Sequence, residues 1–299
     1  KDTEVGSLLG GKEKLSYQVD VATYQSLVSR KGIDIKPYIE KYGQIIVDEC
    51  HHLPASNYES LIKSSHAKFL HGFTATPKRQ DGLEKLMMFQ LGDIVYKGVK
   101  SGSMLNQQVV AHETDTTFPK EWLEPDTKPH ISQIYKHLVN SNCRNQKIVD
   151  DILSCIDDKR AVMVLTERKE HIELLSALLT QKELMVVELH GGISAKQRQE
   201  RIAMLEENKD LSNDRQVILA TGKYVGEGFD LPYLDTLFIT LPIAWKGILA
   251  QYTGRIGREW SNKNSVQVYD YLDDFPTLKR MFSKREKGYK ALGYEITYR

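Results

Sequence analysis

The sequence predicts an α/β fold in which helices cover parallel sheets. Short apolar runs rich in β-branched residues alternate along the chain with stretches of helical periodicity, as in strands joined by crossover helices. A chain of 299 residues is long enough for roughly two domains with separate cores. A proline-rich segment without periodicity divides the alternating pattern into two sets, which predicts one sheet in each half.

Several apolar runs are predicted strands, and two of the stretches between them are predicted helices. The helices are Lys169–Thr180 and Ser194–Glu207, and Ser194 suits the N-cap position. The predicted strands are Val19–Ala22, Gln44–Val47, Lys68–Phe73, Arg160–Leu165, Leu184–Leu189, Gln216–Ala220, Thr236–Leu241 and Ser265–Tyr271.

The segment between the halves, "HETDTTFPKEWLEPDTKPH", covers residues 112–130 and is predicted to be a connector. It contains three prolines and several acidic residues, and it has neither a helical nor a strand period. The expected domains are therefore a first lobe over residues 1–111 and a second lobe over residues 131–299.

The composition is typical of a soluble globular protein, with 40% hydrophobic and 27% charged residues. We find no run that could span a membrane and no secretory leader, so a cytoplasmic location is expected. The three cysteines lack C-x-x-C spacing, which favours reduced thiols over disulfides or a zinc site. The net charge of +1 provides no general attraction to a polyanion, so local groups would have to hold any nucleic acid.

The motif "QIIVDECHH", residues 44–52, is the most informative stretch. An apolar predicted strand ends at Asp48 and Glu49, so two carboxylates emerge at the carboxyl edge of a parallel sheet, where ligand sites form. In phosphoryl transfer, Asp48 would hold Mg²⁺, mostly through water, and Glu49 would orient or deprotonate the attacking water. The alternative is an acidic pair that merely opens a loop.

A second motif, "GFTATP", closes the next apolar run. Thr74 and Thr76 carry hydroxyl groups that could hydrogen-bond toward the acidic pair and relay its state. His51, beside that pair, could take part in the same coupling. A turn with capping hydroxyls is the alternative interpretation.

Two motifs of the second half, "ATGKYVGEGFDLP" and "QYTGRIGREW", contain groups suited to a nucleotide. The first follows a predicted strand and places Gly226 and Asp230 where the backbone can approach a ligand closely. The second places Gln251, Arg255 and Arg258 along a predicted helix, with the two arginines on one face. Guanidinium groups suit a triphosphate and its transition state, whereas a lone arginine more often forms a surface salt bridge.

In order, "VATYQSL", "VDECHH", "GFTATP", "ELHGG", "ATGKYVGEGFD" and "QYTGRIGR" resemble the motifs of superfamily 2 helicases. The DECH spelling and "FPTLKRMFSKREKGYKALGY" are similar to the bacterial DEAD/DEAH-box branch, which is related to XPB-type and restriction-system motors. The resemblance spans nearly the whole chain. It implies two RecA-like lobes, ATP bound between them and nucleic acid lying across both.

The resemblance also implies roles for the matched residues, with ATP and Mg²⁺ as the expected cofactors. Asp48 matches the Mg²⁺ position and Glu49 the water-activating position. The remaining matches are the coupling residues Thr74 and Thr76, the nucleotide-contacting residues Gly226 and Asp230, and the arginine fingers Arg255 and Arg258.

The stretch "GSLLGGKE", residues 6–13, fits most of the phosphate-loop pattern G-x-x-x-x-G-K, yet it is predicted to be a decoy. Glu13 stands where Ser or Thr should bind Mg²⁺, the preceding segment is too short and polar for a buried strand, and no helix follows. In the resembled family the phosphate loop lies farther upstream. The first lobe is therefore expected to be N-terminally truncated, and the fragment alone is expected to have negligible ATPase activity.

Residues at other strand ends could contact nucleic-acid phosphates without reading bases. Capping would equally explain the threonines among them, and a tight turn would explain the glycine pair. A basic run over residues 278–290 is interpreted as a solvated helix face, with tracking of a nucleic-acid backbone as the alternative. The candidate contacts are Thr23, Gln25, Gly191, Gly192, Thr221 and Lys223.

The function favoured by the sequence is an ATP-dependent DNA helicase or translocase, with further domains or subunits outside the fragment and no membrane partner. DNA is favoured over RNA because of the family branch, and an RNA helicase stays open because nothing in the sequence senses a 2′-hydroxyl. A non-catalytic nucleic-acid scaffold with the same fold is the alternative from another class. The acidic pair and the two arginines argue against a scaffold, which has no need of them.

Overall fold

The computed structural model describes the chain in several stretches, within which two compact units form over residues 1–99 and residues 100–299. Among the described residues, no helix is both long and apolar enough to cross a membrane. The described stretches are residues 4–10, 12–27, 37–52, 59–61, 63–74, 84–98, 105–124, 127–207, 215–222, 231–243, 246–261 and 263–299.

The described residues of the first unit form two small sheets. In the first sheet the strand order is β2-β1-β3, with β1 antiparallel to β2 and parallel to β3, and in the second sheet β4 and β5 pair in parallel. The strands are β1 (Val5–Leu9), β2 (Lys12–Lys14), β3 (Val19–Ala22), β4 (Gln44–Val47) and β5 (Phe69–Gly72); the α-helices are α1 (Tyr24–Leu27) and α2 (Glu84–Leu91), and short 3-10 helices cover Pro37–Lys41 and Cys50–His52.

The second unit is built on one seven-stranded sheet of order β12-β6-β11-β10-β7-β9-β8, in which every pairing is parallel. Its strands are β6 (Asn106–Glu113), β7 (Val162–Thr166), β8 (Met185–Leu189), β9 (Gln216–Thr221), β10 (Thr236–Ile239), β11 (Ser265–Leu272) and β12 (Glu295–Tyr298). Its helices are α3 (Ile131–Val139), α4 (Asn142–Asp157), α5 (Lys169–Thr180), α6 (Ala195–Glu207), α7 (Lys246–Ile256) and α8 (Pro276–Ala291).

Helices cover both faces of this sheet, which explains why its strands are almost wholly apolar. Val162 and Val164 of β7 pack on the side of α4 and α5. Met163 and Leu165, which alternate with them, pack with side chains of α6, α7 and α8. All five residues of β7 are buried, so this strand lies at the centre of the core.

The predicted α/β class with parallel sheets is confirmed. Each predicted strand is present, with its ends displaced by at most two residues, and the helix Lys169–Thr180 has the predicted bounds. The other predicted helix starts one residue later because Ser194 caps it: the backbone N–H of Gln197 donates to Ser194 Oγ at 3.2 Å. Strands β1, β2, β6 and β12 were not predicted.

The segment predicted to be a connector differs from that expectation. Strand β6 ends inside it and pairs with β11 over its whole length. Farther along, Phe118 and Trp122 pack against Phe275, with ring centroids 4.7 and 6.3 Å from that ring. These aromatic anchors bind a stretch with no periodicity to the second unit, so residues 105–124 are part of that unit.

The basic helix α8 also differs in one residue from the solvated face that its charges predict. Arg285 is buried, and its guanidinium donates to both carboxylate oxygens of Asp270 at 2.7 and 2.9 Å. The hydroxyl of Tyr289 donates to the same carboxylate at 2.9 Å. The other basic residues of the run are exposed, so only Arg285 is structural.

We expect Arg285→Met to lower the free energy of unfolding of the second unit by about 3–5 kcal/mol, because it leaves the Asp270 carboxylate buried without its cation. Urea denaturation followed by circular dichroism measures this change. Lys290→Met, which removes an exposed ion pair to Glu286, is the control and should leave the free energy of unfolding nearly unchanged. Equal effects of the two variants would contradict the structural role of Arg285.

Candidate nucleotide and nucleic-acid site

The carboxyl ends of β4 and β5 lie side by side in the first unit. Val47 is opposite Gly72 in the parallel register, so the residues that follow each strand emerge at the same edge. Hydrogen bonds continue beyond the strands, since Phe73 N–H donates to Val47 O at 2.9 Å and Cys50 N–H donates to Phe73 O at 3.0 Å. The two first-half motifs therefore meet in space.

Asp48 and Glu49 form the turn that leaves β4. Glu49 has a φ of +44°, in the left-handed region that residues with a side chain rarely adopt. Its backbone N–H donates to Asp48 Oδ1 at 2.8 Å, which stabilises the turn. A strained non-glycine residue held at a strand end is a feature that clusters at functional sites.

His51 joins the acidic turn to the threonine motif. Its Nδ1 lies 2.7 Å from Thr74 Oγ1 and 3.3 Å from Glu49 Oε2. The His51 side chain is largely buried, with 11% of its surface exposed, whereas that of Glu49 is 46% exposed. A carboxylate facing outward is thus connected through one imidazole to a hydroxyl at the end of the neighbouring strand.

The acidic turn fits a magnesium ion bound mainly through water and phosphate oxygens. Glu49 Oε2 is buried and makes no hydrogen bond among the described residues, although it lies within ion-pair distance of His51. Asp48 is exposed. Two carboxylates provide the hard oxygen ligands that Mg²⁺ prefers. Within the described stretches, no group of three or more His, Cys, Asp or Glu residues could hold a metal ion by itself.

Apolar packing behind this turn fixes the ends of both strands. Cys50 is buried, and its Sγ lies 3.8 Å from the sulfur of Met87 in α2. A Cβ atom on Gly72 would lie 2.6 Å from Leu91 Cδ1 and 3.1 Å from Cys50 Sγ. Gly72 therefore allows α2 to pack closely against the end of β5, and a larger residue would displace the Leu91 side chain.

Helix α7 of the second unit presents two of the predicted nucleotide contacts. Leu249, Tyr252 and Ile256 recur at helical spacing and are buried in the core. Gln251 and Arg255, four residues apart, share another face and are half-buried.

The prediction that Arg255 and Arg258 share a helical face is wrong. Helix α7 ends at Ile256, and Arg258 lies in the following loop with an exposed side chain. Gly257 N–H still makes an α-helical hydrogen bond to Thr253 O at 3.0 Å, and the chain then leaves the helix. The placement of Arg258 therefore depends on the loop rather than on the helix.

Gly222 allows α7 to approach the end of β9. A Cβ atom at this position would lie 1.8 Å from the Tyr252 hydroxyl and 3.0 Å from Glu167 Oε1. Sequence reasoning missed Glu167, although it directly follows a buried strand, as Asp48 does. Burial raises the pKa of the Glu167 carboxyl, and the neighbouring Arg168 guanidinium opposes this shift.

The candidate phosphate contacts of the second unit lie at one edge of its sheet. Thr221 ends β9, and the turn with Gly191 and Gly192 follows the neighbouring strand β8. Gly192 N–H donates to His190 Nδ1 at 2.9 Å, and a Cβ atom there would lie 2.8 Å from the Lys169 stem. The glycines are exposed, so their backbone is accessible to a ligand.

Thr23 and Gln25 of the first unit are both exposed. Thr23 Oγ1 accepts from Ser26 N–H at 3.3 Å at the start of α1, so this hydroxyl has the capping role given as the alternative. Gln25 lies within α1. The predicted residues Thr76, Lys223, Gly226 and Asp230 lie outside the described residues.

The stretch "GSLLGGKE" forms a β-hairpin, not a strand, loop and helix. Strands β1 and β2 are antiparallel with Leu9 opposite Lys12, and Gly10 occupies the turn with a φ of +56°. A Cβ atom at Gly6 would lie 1.7 Å from Asp20 Oδ1. The first glycine of the pattern thus serves close packing, and the geometry that cradles a phosphate is not formed by this hairpin.

We expect Gly6→Ala to destabilise the first unit by about 1–3 kcal/mol, since the added methyl group displaces the Asp20 carboxylate. Thermal unfolding of the complete protein measures this effect.

Lys12→Met should leave ATP affinity unchanged, whereas the lysine of a true phosphate loop would be indispensable. Nucleotide titration of the complete protein measures this affinity. A loss of ATP affinity in Lys12→Met would restore the phosphate-loop interpretation.

Comparison with known proteins agrees with this arrangement in both units. The family model described as the type III restriction enzyme res subunit matches residues 1–79, and the helicase conserved C-terminal domain matches residues 144–261. L396 of Acanthamoeba polyphaga mimivirus, whose name is that of an ATP-dependent RNA helicase, is 26% identical over 85% of this chain and 48% of its own length. XPB2 of Sulfurisphaera tokodaii, named a DNA 3'-5' translocase, is 33% identical over 32% of this chain and 21% of its own length.

Among solved structures, S. cerevisiae Dbp5 bound to RNA and ADP BeF3 superposes with a TM-score of 0.64 at 15% sequence identity. The match covers 99% of this chain and 69% of that one, and at this identity it shows the fold alone. The fold is that of RecA-like domains. The matched domains and the named relatives make the chain similar to superfamily 2 helicases of the restriction and XPB-like type. It spans about half the length of the curated relatives it matches.

Proposed function

We propose that the protein containing this chain is an ATP-dependent DNA helicase or translocase. The observation that supports this most strongly is the contact of His51 with both Glu49 and Thr74 at a shared strand edge. This arrangement links a carboxylate suited to hydrolysis with a residue on the adjacent strand. A scaffold that only bound nucleic acid would gain nothing from such a link.

In the proposed mechanism, the first unit supplies the acidic groups. Asp48 would hold Mg²⁺ through water, and the ion would neutralise charge on the phosphate oxygens. Glu49 orients the attacking water and accepts its proton. A movement of the Glu49 carboxylate shifts the His51 ring, and the hydrogen bond from that ring shifts Thr74. Thr76 is the other hydroxyl residue of the coupling motif.

The second unit supplies cationic and polar groups to the same ATP. Arg255 and Arg258 stabilise the charge that develops on the transferred phosphoryl group, a contribution worth several orders of magnitude in rate. Gln251 shares a face with Arg255 and contacts the nucleotide beside it. Gly226 and Asp230 complete the nucleotide contacts.

The proposed nucleic-acid contacts are phosphate-directed and independent of sequence. Gly191 and Gly192 follow β8, and Thr221 ends the neighbouring strand β9. The accessible glycine backbone and the threonine hydroxyl could therefore contact successive phosphates of one nucleic-acid strand. Thr23 and Gln25 provide the equivalent grip on the first unit, and Lys223 adds to that of the second. ATP hydrolysis then changes the distance between these two sets of nucleic-acid contacts.

The choice of DNA depends on the resemblance to the DECH branch. XPB2 is named for DNA, whereas the names of L396 and of the Dbp5 structure refer to RNA. An RNA helicase is therefore the second candidate. ATPase stimulation by matched single-stranded DNA and RNA of equal length separates the two.

We expect Glu49→Gln to lower nucleic-acid-stimulated ATP hydrolysis at least about 100-fold, because the amide cannot accept the proton of the attacking water. ATP affinity should be retained. Phosphate release by the complete protein measures the rate, and Glu59→Gln, which changes an exposed glutamate paired with Lys63, is the control. A Glu49→Gln variant as active as the control would favour the non-catalytic scaffold.

A further inference from the structure

Lys263 lies in the loop between α7 and β11 and is almost fully buried, with 9% of its surface exposed. Its Nζ donates to the backbone carbonyl oxygens of Arg258 at 3.0 Å, Pro232 at 3.0 Å and Leu234 at 2.5 Å. An ammonium group has three N–H donors and no acceptor, so these three carbonyls use its whole bonding capacity.

The three acceptors belong to two separate segments of the second unit. Pro232 and Leu234 lie in the segment that leads into β10, directly after the "GEGFD" motif. Arg258 lies in the loop that leaves α7. The rings of Tyr233 and Trp260 meet edge to face between the same segments, with centroids 6.4 Å apart.

We propose that Lys263 is a positioning residue, whose ammonium ties the loop of Arg258 to the segment that follows the nucleotide-contacting motif. This inference rests on the proposed function, in which Arg258 acts on ATP. It goes beyond that function because Lys263 belongs to none of the motifs that define the family resemblance.

The need for such a tie follows from where α7 ends. Arg258 stands beyond the last helical turn and next to Gly257, so the helix does not fix it. A catalytic group must be held within about 0.5 Å of its productive position by the residues around it. One of the three hydrogen bonds from Lys263 holds the backbone carbonyl of Arg258 itself, and the other two hold Pro232 and Leu234.

The tie is also sensitive to protonation. Burial lowers the pKa of the Lys263 ammonium to about 8; the Asp235 carboxylate opposes this shift and the Arg160 guanidinium adds to it. These two groups form an ion pair at 3.4 Å beside the lysine. Above that pKa the neutral amine has only two N–H donors, so one of the three carbonyls loses its partner.

The first test uses the 299-residue chain and is independent of activity. The amide nitrogens of Tyr233, Asp235 and Glu259 belong to the same peptide units as the three acceptor carbonyls. In ¹⁵N NMR spectra, the three resonances should shift together with one midpoint near the pKa of about 8. This common titration should disappear in Lys263→Met and persist in the control Lys196→Met, which changes an exposed lysine of α6.

The second test measures ATP hydrolysis by the complete protein. Lys263→Met should lower kcat at least about tenfold with little change in KM, since a displaced Arg258 loses contact mainly with the transition state. The control variant Lys196→Met should retain the unmodified rate.

The two tests separate the failure of this inference from the failure of the proposed function. Separate midpoints, or a common titration that survives in Lys263→Met, would overturn the tie. A lost titration with an unchanged kcat would overturn its positioning role. If the unmodified protein hydrolyses no ATP, the proposed function fails and the positioning role fails with it, while the NMR titration still decides whether Lys263 joins the two segments.

Discussion

The candidate site of the first unit depends on the parallel register of β4 and β5, which sets Val47 opposite Gly72. Because the two strands end together, residues that are two dozen positions apart in sequence come within hydrogen-bonding distance, and His51 reaches both Glu49 and Thr74. A slip of one residue would turn every side chain of a strand to its opposite face and remove these contacts. The packing of Cys50 and Met87 behind the strands opposes such a slip.

In the second unit, too, parallel strands bring residues that are distant in sequence to one edge of a sheet. Buried cations fix the backbone segments around that sheet. Seven parallel strands covered on both faces form a frame whose apolar core needs no charged residues. The buried cations are placed instead where backbone segments must be fixed. Arg285 joins α8 to β11 through Asp270. Lys263 binds a carbonyl just before β10, that of Leu234, and one just after α7, that of Arg258. Burying a charge is costly unless it is hydrogen-bonded, and every side-chain nitrogen of Arg285 and Lys263 donates a hydrogen bond.

The sequence predicted the central strands β7, β9 and β10 well because apolar β-branched runs are a direct consequence of burial on both faces. It also predicted β3, β4 and β5 from the same pattern, although their residues are exposed or half-buried. It missed β1, β2 and β12, which are short and partly exposed, and it assigned the end of β6 to a connector because the prolines after it masked the aromatic anchors Phe118 and Trp122. The acidic turn was predictable because two carboxylates directly after a parallel strand emerge at the sheet edge where ligand sites form. Lys263 was not, since its role depends on three backbone carbonyls that no side-chain pattern records. Arg258 was placed on the helix because its three-residue spacing from Arg255 fits a helical face, although Gly257, a residue common just after helices, could have marked the end at Ile256.

We propose that the acidic turn of the first unit and the loop of Arg258 in the second act on one ATP. Hydrogen exchange of the complete protein, titrated with a non-hydrolysable ATP analogue and Mg²⁺, distinguishes one shared nucleotide from two separate sites. Amides of residues 48–52 and of residues 255–260 should gain protection together, at the same analogue concentration. Protection confined to one unit, or two clearly different midpoints, would contradict it.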